Sequence, residues 1–360
     1  MKNRNMKNIL VVDFNGTTPI YTYYFAKSLK SFFEVEILGK KNKKELKYWE
    51  DIFSYKGFQF KKKLIAYILN WFLLLIQIKK YDAIFFQWLP LLKKSGLELQ
   101  LLKFLEIFNK NIFYTVHNFL PHDNRSERIK RRYFRLYNTV NNLLVHSEAT
   151  KNSLLKIGVA EKKIIKINHG PIMGDLGKKV KVPKRKNQIG MIGTIRPYKG
   201  IEDAIRAIEI LKNEGFIISL LIAGIAFEDY ENKLNALISS LNLNNQVIIE
   251  NKYLSNFEFV ERIKSVECIV MPYHSIDQSG IALTSLSLGV PVVAYALGGL
   301  KEIILEGING FLVQPDNITL LASKIKKLLE LNKNWEIDCA KTLVMHSWEI
   351  TAKVIKEKLV

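Results

Sequence analysis

Cysteine is scarce in this chain: Cys268 and Cys339 are the whole supply in 360 residues. Two thiols exclude a disulfide scaffold, and Cys268 lies in an apolar run that reads as a buried strand, which points to a reducing compartment. Long apolar runs are missing too. The stretch Leu64 to Ile78 is fifteen residues, short of the roughly 20 that span a bilayer. The run after the basic N-terminus, Ile9 to Val12, stops at Asp13, too short for the apolar core of a signal peptide. The sequence has no cluster of metal ligands and no Asp-x-Asp pair that would hold a metal on a diphosphate. Internal repeats and low-complexity tracts are absent. What remains is an apolar share of 48%, which excludes a disordered chain, and a length that suits two domains of about 150–190 residues.

Acidic residues are scarce in one half only. Residues 1–187 carry a net charge of +23 and residues 188–360 one of −3. Such an imbalance implies an anionic partner for the first half: a membrane surface, a lipid diphosphate or nucleic acid. Arg125, Arg128, Arg132 and Arg135 recur at helical spacing with Lys130 and Arg131 nearby, while Ile129, Tyr133, Leu136, Tyr137 and Val140 fall on another face. One side of that helix packs and the other shows a stripe of arginines, read here as a phosphate-contacting membrane face rather than a merely solvated one. The Leu64 to Ile78 helix, flanked by Lys61 to Lys63 and Lys79-Lys80, reads as a buried or half-buried helix, with an interfacial helix as the lesser reading.

The second half carries the more specific patterns. Gln278-Ser279-Gly280 opens a short apolar helix that breaks at Gly289, the strand Pro291 to Tyr295 follows, and Gly298-Gly299 opens another helix. Helices that begin at small residues expose unpaired N–H groups and the positive dipole end, which suits a phosphate. Upstream, the strand Ile189 to Ile192 leads into Gly193-Thr194-Ile195-Arg196-Pro197-Tyr198-Lys199-Gly200 and then an amphipathic helix. A strand end is where ligands gather in open α/β sheets. Arg196 offers a fork for phosphate oxygens and Lys199 a point charge.

These segments resemble, in order, the donor domain of family 4 glycosyltransferases. The resemblance rests on Arg196-Pro197-Tyr198-Lys199-Gly200, the strand Leu220 to Ala223 ending at Gly224, and the strand Cys268 to Met271 ending in Pro272-Tyr273. It continues in the Gly289-Val290-Pro291-Val292-Val293-Ala294 run, Gly298 to Glu302, Gly310 to Val313 and Ser347-Trp348-Glu349. In the first half Tyr114-Thr115-Val116-His117-Asn118 and Val145-His146-Ser147-Glu148 agree. The resemblance implies a GT-B architecture: α/β, two facing Rossmann-like domains with parallel sheets, and a C-terminal helix crossing back to the first domain. The chain departs from the family at two points. Where the family usually has two glutamates separated by seven residues, this chain has Thr284 and, near the first, Ile276 or Asp277. The family's arginine directly after the glycine is Thr194 here, with Arg196 two residues on.

On this reading the domains are 1–175, a basic acceptor-binding half; 176–187, a linker; 188–345, a donor-binding half; and 346–360, the returning helix. The resemblance implies a nucleotide-diphosphate sugar donor held by Gly193, Thr194, Gly224, Tyr273, His274, Ser279, Gly280, Gly298 and Gly299. Thr284 can reach the ribose, and Asp277 or Gln278 the sugar. Arg196 and Lys199 would stabilise the departing diphosphate, and His117, at a strand end, would orient the sugar or assist proton transfer. The first turn, Asn15-Gly16-Thr17 with Thr18 as cap and Pro19 as helix opener, and His122 fall on the acceptor side. No metal and no other cofactor is expected.

The implied activity is transfer of a sugar to a membrane-linked, lipid diphosphate-linked glycan acceptor in surface polysaccharide or glycolipid assembly. Retention of configuration is implied by the family alone. The expected location is the cytoplasmic face of the cell membrane, held peripherally on an anionic surface. Two other readings stand beside it. The missing glutamates allow a noncatalytic GT-B partner subunit. The charge allows a nucleic-acid binder, although the basic residues lack aromatic interleaving and any reading motif, so no nucleic acid is the favoured expectation.

Overall fold

The computed structural model describes residues 6–40, 47, 52–53, 55–58, 63–109, 111–121, 126–227, 229–331 and 333–359. His122, Arg125, Lys61 and Lys62 lie outside the described residues. The chain divides into two compact units, Met1–Gly170 with Ser347–Val360, and Pro171–His346.

In the first unit the elements run β1 (Asn8–Asp13), α1 (Pro19–Leu29), β2 (Glu34–Gly39), β3 (Tyr55–Lys56), α2 (Lys63–Gln77), β4 (Ala83–Phe86), α3 (Leu97–Phe108), β5 (Ile112–Val116), α4 (Glu127–Thr139), β6 (Asn142–Val145), α5 (Glu148–Lys156) and β7 (Ile164–Lys166). The strands form one parallel sheet in the order β3-β2-β1-β4-β5-β6-β7. The central strands are short apolar runs without alternation, because helices cover both faces of a parallel sheet. Ile84, Phe85 and Phe86 are all fully buried, and Phe85 stacks on Phe113 of β5 with ring centroids 4.4 Å apart. Each such side chain contributes about 2–3 kcal/mol on burial.

The second unit runs α6 (Gly174–Gly177), β8 (Gln188–Ile192), α7 (Ile201–Asn213), β9 (Ser219–Gly224), α8 (Tyr230–Ser240), β10 (Val247–Asn251), α9 (Asn256–Ser265), β11 (Cys268–Met271), α10 (Gly280–Ser287), β12 (Val292–Tyr295), α11 (Leu300–Ile303), β13 (Gly310–Val313), α12 (Ile318–Glu330) and α13 (Trp335–Leu343). Its parallel sheet has the order β10-β9-β8-β11-β12-β13. Residues 176–187, expected as a linker, fall within this unit. Lys264 of α9 donates to the carbonyls of Gly177 and Val180 at 2.9 and 2.7 Å, which fastens that segment.

The last helix, α14 (Trp348–Leu359), belongs to the first unit and packs on α1. The returning helix expected from the sequence is therefore present. Its Thr351 hydroxyl donates to Asn168 O, and Trp348 covers Gly170 so closely that a Cβ there would lie 2.3 Å from Trp348 Cδ1.

Strand order reverses between β1 and β4 in the first sheet and between β8 and β11 in the second. The crevice beyond the strand ends at such a switch point is where ligands bind in open α/β sheets.

Candidate functional site

In the second unit the switch point gathers most of the expected donor residues. Pairing of β8 and β9 continues past both strands: Ile195 N–H donates to Ile225 O at 2.8 Å, and Phe227 N–H to Ile195 O at 3.1 Å. This extension fixes Gly193 beside Gly224, leaves Thr194 exposed, and sets the Arg196 guanidinium 4.7 Å from the Phe227 ring centroid. A single turn, Pro197 to Lys199, then brings the chain to Gly200 with φ +63°. A Cβ at Gly200 would fall 1.9 Å from Pro272 O, so only glycine lets the start of α7 meet the end of β11. His274 N–H donates to Tyr198 O at 2.8 Å across the same junction.

That turn folds Lys199 inward. The residue is 6% exposed, its Nζ lies 5.5 Å from the centroid of the buried Tyr273 ring, and among the described residues it has no carboxylate partner. Burial, and secondarily Arg196, hold its ammonium down to about 7. A buried cation without a counter-ion is costly in the empty protein and favourable once an anion arrives.

The two expected helix starts are not equivalent. Ser279 caps α10, its Oγ accepting from Ala282 N–H at 3.2 Å, and the Gly280 and Ile281 amides lie ahead of the intrahelical ladder. Gln278 Oε1 accepts from Ser279 N–H at 3.3 Å, and Asp277 and Gln278 are half-buried beside it. The start at Gly298-Gly299 is different. Gly299 N–H donates to Asp277 O at 2.9 Å, Leu300 N–H to Leu297 O at 3.1 Å, and α11 is only four residues long. The Gly299 and Leu300 amides are already used, so the expectation that Gly298-Gly299 opens a second phosphate-binding helix is corrected. Thr284 is corrected as well. It is fully buried, and its hydroxyl lies 2.7 Å from Gly280 O and 3.1 Å from Ile172 O. Side-chain-to-backbone bonding of this kind is common for Thr within a helix, and it takes the hydroxyl away from any ribose.

His274 stands between two carboxylates, with Nδ1 3.2 Å from Asp316 and Nε2 3.6 Å from Asp203. Asp203 also accepts from the Tyr295 hydroxyl at 2.8 Å. The sequence pattern shows no metal cluster, yet folding brings ligand-type atoms of Asp203, His274 and Asp316 within 4.8 Å of one another.

In the first unit the β1–α1 turn is organised by Asp13. Its carboxylate accepts from Thr17 N–H at 2.9 Å, Thr18 N–H at 3.3 Å and the Thr22 hydroxyl at 3.1 Å, while Gly16 N–H donates to Asp13 O at 3.0 Å. Asn15, Gly16 and Thr17 thus sit at the strand end as expected. Thr18 does not cap α1 with its side chain. Its hydroxyl instead accepts from Trp88 Nε1 at 3.0 Å.

Trp88 stacks on His117 with centroids 4.9 Å apart and planes 7° from parallel. His117 Nε2 lies 3.3 Å from Gln87 Oε1. Burial, then His169, lower the His117 imidazole to about 3. It is neutral near pH 7, which fits a hydrogen-bonding, orienting role better than proton uptake. Tyr21 joins the set: its hydroxyl lies 2.9 Å from His146 Nε2, and its ring packs edge-on against His117, His169 and Trp348. Sequence reading missed Trp88, Tyr21, Asp203 and Asp316. Trp88 alone carried a signal, as an aromatic residue just past an apolar strand.

Each unit is thus a parallel-sheet Rossmann-like domain whose polar groups collect at the switch point, and the pair defines the GT-B class. Residues 175–339 match the family model of glycosyl transferases group 1, and residues 36–168 match the N-terminal domain of the glucosyltransferase 3-like family. Residues 175–339 thus form a domain of the glycosyl transferases group 1 type. An uncharacterised glycosyltransferase of Methanocaldococcus jannaschii is 28% identical over 235 residues, covering 64% of this chain and 61% of that protein. The capsular polysaccharide biosynthesis glycosyltransferase CapM of Staphylococcus aureus is 23% identical over 200 residues, covering 52% of each. The chain therefore spans between half and two thirds of these curated relatives. The structure of HepE from Anabaena in complex with UDP and glucose superposes with a TM-score of 0.72, 17% identity and 98% of both chains covered.

Proposed function

We propose that this chain transfers a sugar from a nucleoside-diphosphate sugar to a hydroxyl of a membrane-linked glycan acceptor, one carried on a lipid diphosphate, in surface polysaccharide or glycolipid assembly. The observation that carries the reading is Lys199: a buried cation without a carboxylate partner among the described residues, beside Arg196 and the start of α10. The bond from the anomeric carbon to the diphosphate oxygen breaks, a bond to the acceptor oxygen forms, and the acceptor hydroxyl proton passes to the departing diphosphate. Negative charge accumulates on the leaving diphosphate, where Lys199, Arg196 and the α10 amides stabilise it most in the transition state. His117, held neutral, orients the sugar by hydrogen bonding. Retention of configuration follows the family. With two cations supplying the positive charge, transfer proceeds without a metal. The capsular role in the name of CapM and the UDP and glucose bound to HepE support the acceptor and donor classes. Work at the cytoplasmic face of a membrane fits the cationic first half, and no described helix is long and apolar enough to cross a bilayer.

The test is nucleotide release and product formation with a panel of uridine and guanosine diphosphate sugars and lipid-linked acceptors, with and without a chelator. Release that persists in chelator and is lost on Lys199→Ala is expected. No turnover of any donor would favour the noncatalytic partner-subunit reading, and loss in chelator would assign work to Asp203, His274 and Asp316.

A further inference from the structure

Helices α2, α3 and α4 pack through one apolar cluster of the first unit: Tyr67, Trp71 and Leu74 from α2, Leu99 and Leu102 from α3, Tyr133 and Leu136 from α4. The helical turn Ile78–Lys80, which continues α2, packs on α3, and α3 packs on α4. The outward sides of these three helices are unlike an ordinary solvated surface. On α2 the residues Leu64, Ile68, Phe72 and Ile76 recur every fourth position and are 57–65% exposed. Leu97, Phe104, Ile107 and Phe108 of α3 are 46–73% exposed. Scattered single apolar residues need no explanation, but adjoining rows of this length mark a docking surface. Of the buried and half-buried helices that the sequence allows here, α2 is the half-buried one. Its apolar residues lie on both sides, and only one side is covered.

Beside those rows lies a groove of about 1100 Å³ between α3 and α4, lined among others by Lys103, Arg128, Arg131, Arg132 and Arg135. Its one carboxylate, Glu106, accepts from Asn141 N–H at 2.9 Å. Arg132 is tied to the carbonyls of Leu92 and Lys93 at 3.3 and 2.8 Å and shapes the wall. Arg128 and Arg135 are exposed and, among the described residues, lack a carboxylate partner. A protein partner's interface depletes lysine and most charge at its core, whereas the exposed Lys103, Arg128, Arg131 and Arg135 share this one groove. Apolar rows beside unpaired arginines, in a half of net charge +23, instead match the boundary of an anionic bilayer, where apolar side chains enter the acyl edge and cations meet phosphates.

We propose that the outer face of α2, α3 and α4 is the chain's membrane-docking surface. The rows on α2 and α3 enter the acyl boundary of an anionic bilayer, and the α3–α4 groove takes lipid phosphate headgroups. This deepens the proposed function by assigning the surface that meets a membrane-linked acceptor, but the binding does not depend on sugar transfer.

Flotation of the full chain with phosphatidylglycerol-containing and pure phosphatidylcholine vesicles, at 0.1 M and 1 M salt, tests it. Exposed charge attraction is largely screened at 1 M, where the screening length is roughly 3 Å, whereas apolar insertion is not. The parent is expected to bind anionic vesicles at least tenfold more tightly than neutral ones and to keep a salt-resistant fraction. Arg128→Gln with Arg131→Gln and Arg135→Gln should weaken binding about tenfold at low salt and spare that fraction. Ile68→Ser with Phe72→Ser and Ile76→Ser should abolish the fraction. Thermal melts and hydrolysis of soluble donor check that both variants fold. If neither variant changes binding, or the parent ignores vesicles, the proposal is wrong. Displacement by millimolar inorganic phosphate alone would show a soluble-anion site, and a parent dimer that the α2 variant dissolves would show a face between copies. Either result overturns the membrane assignment. Vesicle binding without donor turnover would instead sink the transfer reading and leave the docking surface standing.

Discussion

The Trp88 indole lies flat on the His117 imidazole, centroids 4.9 Å apart, and its Nε1 is fixed by Thr18. The two residues sit at the ends of neighbouring strands, β4 and β5, so the stack spans the sheet's ligand-binding edge. Covering one face of the ring adds to the burial that keeps His117 neutral, and it locks the ring plane for hydrogen bonding. Trp88→Leu should raise the His117 pKa from about 3 and loosen the ring. Sugar transfer should fall by up to roughly a hundredfold, the cost of a misplacement of about 1 Å, with nucleoside-diphosphate binding nearly unchanged. Histidine resonances in an NMR titration, read with kcat and KM, check this. An unchanged His117 titration would mean that the stack does not control the imidazole.

Lys199 gives a prediction with a definite sign. Its folded pKa is lowered to about 7 from 10.5, so at pH 8 the empty protein binds less than a full proton there. A bound diphosphate restores the charge, and binding takes up a proton. Affinity for a nucleoside diphosphate should therefore fall as pH rises above 7, by at most about tenfold per unit. Calorimetry in buffers of different ionisation enthalpy measures the uptake, and Lys199→Met should remove it. The same variant should be more stable, by about 2 kcal/mol, because an uncompensated buried cation is gone. Between pH 7 and 10.5 the unfolded chain holds more protons at this site, so wild-type stability rises with pH and the gain from Lys199→Met shrinks. A gain larger at pH 9 than at pH 6 would contradict the assignment.

The sequence made Lys199 visible because its surroundings are local. An apolar strand, a glycine and two cations fall within eleven residues of one another, and each has a standard structural meaning. Trp88 was legible only as an aromatic residue past a strand, and its stack was not. Its partners Thr18 and His117 lie far along the chain, and one aromatic residue after a strand has no periodicity to reveal a stack. Thr284 and Gly299 misled for a related reason. Residue type announces a hydroxyl or a helix start, but only the fold shows that Ile172, Gly280 and Asp277 already occupy them. The strands and the returning helix were legible because parallel strands are short unbroken apolar runs and because Trp348 opens a clear helical period.

Gly170 and Trp348 give a structural prediction. A methyl group at Gly170 would lie 2.3 Å from Trp348 Cδ1, far inside van der Waals contact. The indole belongs to α14 and packs against Tyr21 and His169, so it must shift. Gly170→Ala should cost about 1–3 kcal/mol, the usual range for overpacking, and should expose the start of α14 to protease. Replacing Trp348 by Leu in the same protein should recover part of the loss. If Gly170→Ala melts like the parent, the helix has room that this packing denies.

Glu98 of α3 supplies the last prediction. It is fully buried, donated to by the Tyr67 hydroxyl of α2 and, at 3.2 Å, by Leu91 N–H. Burial raises its carboxyl to about 7 from 4.5, against the lowering effect of those hydrogen bonds. The other titratable groups facing it, Tyr114 and Tyr133, are phenols held neutral. The folded chain therefore keeps a proton on Glu98 that the unfolded chain has released between pH 4.5 and 7. More protons in the native state mean that stability falls as pH rises through that window and levels off above 7. The full swing is at most about 3 kcal/mol. Glu98→Gln keeps acceptor oxygen for Tyr67 and Leu91 but cannot ionise. Urea midpoints should give the variant near-parent stability at pH 5 and a clear advantage at pH 8. An equal difference at both pH values would show that Glu98 does not titrate there, and that the α2–α3 junction is insensitive to pH.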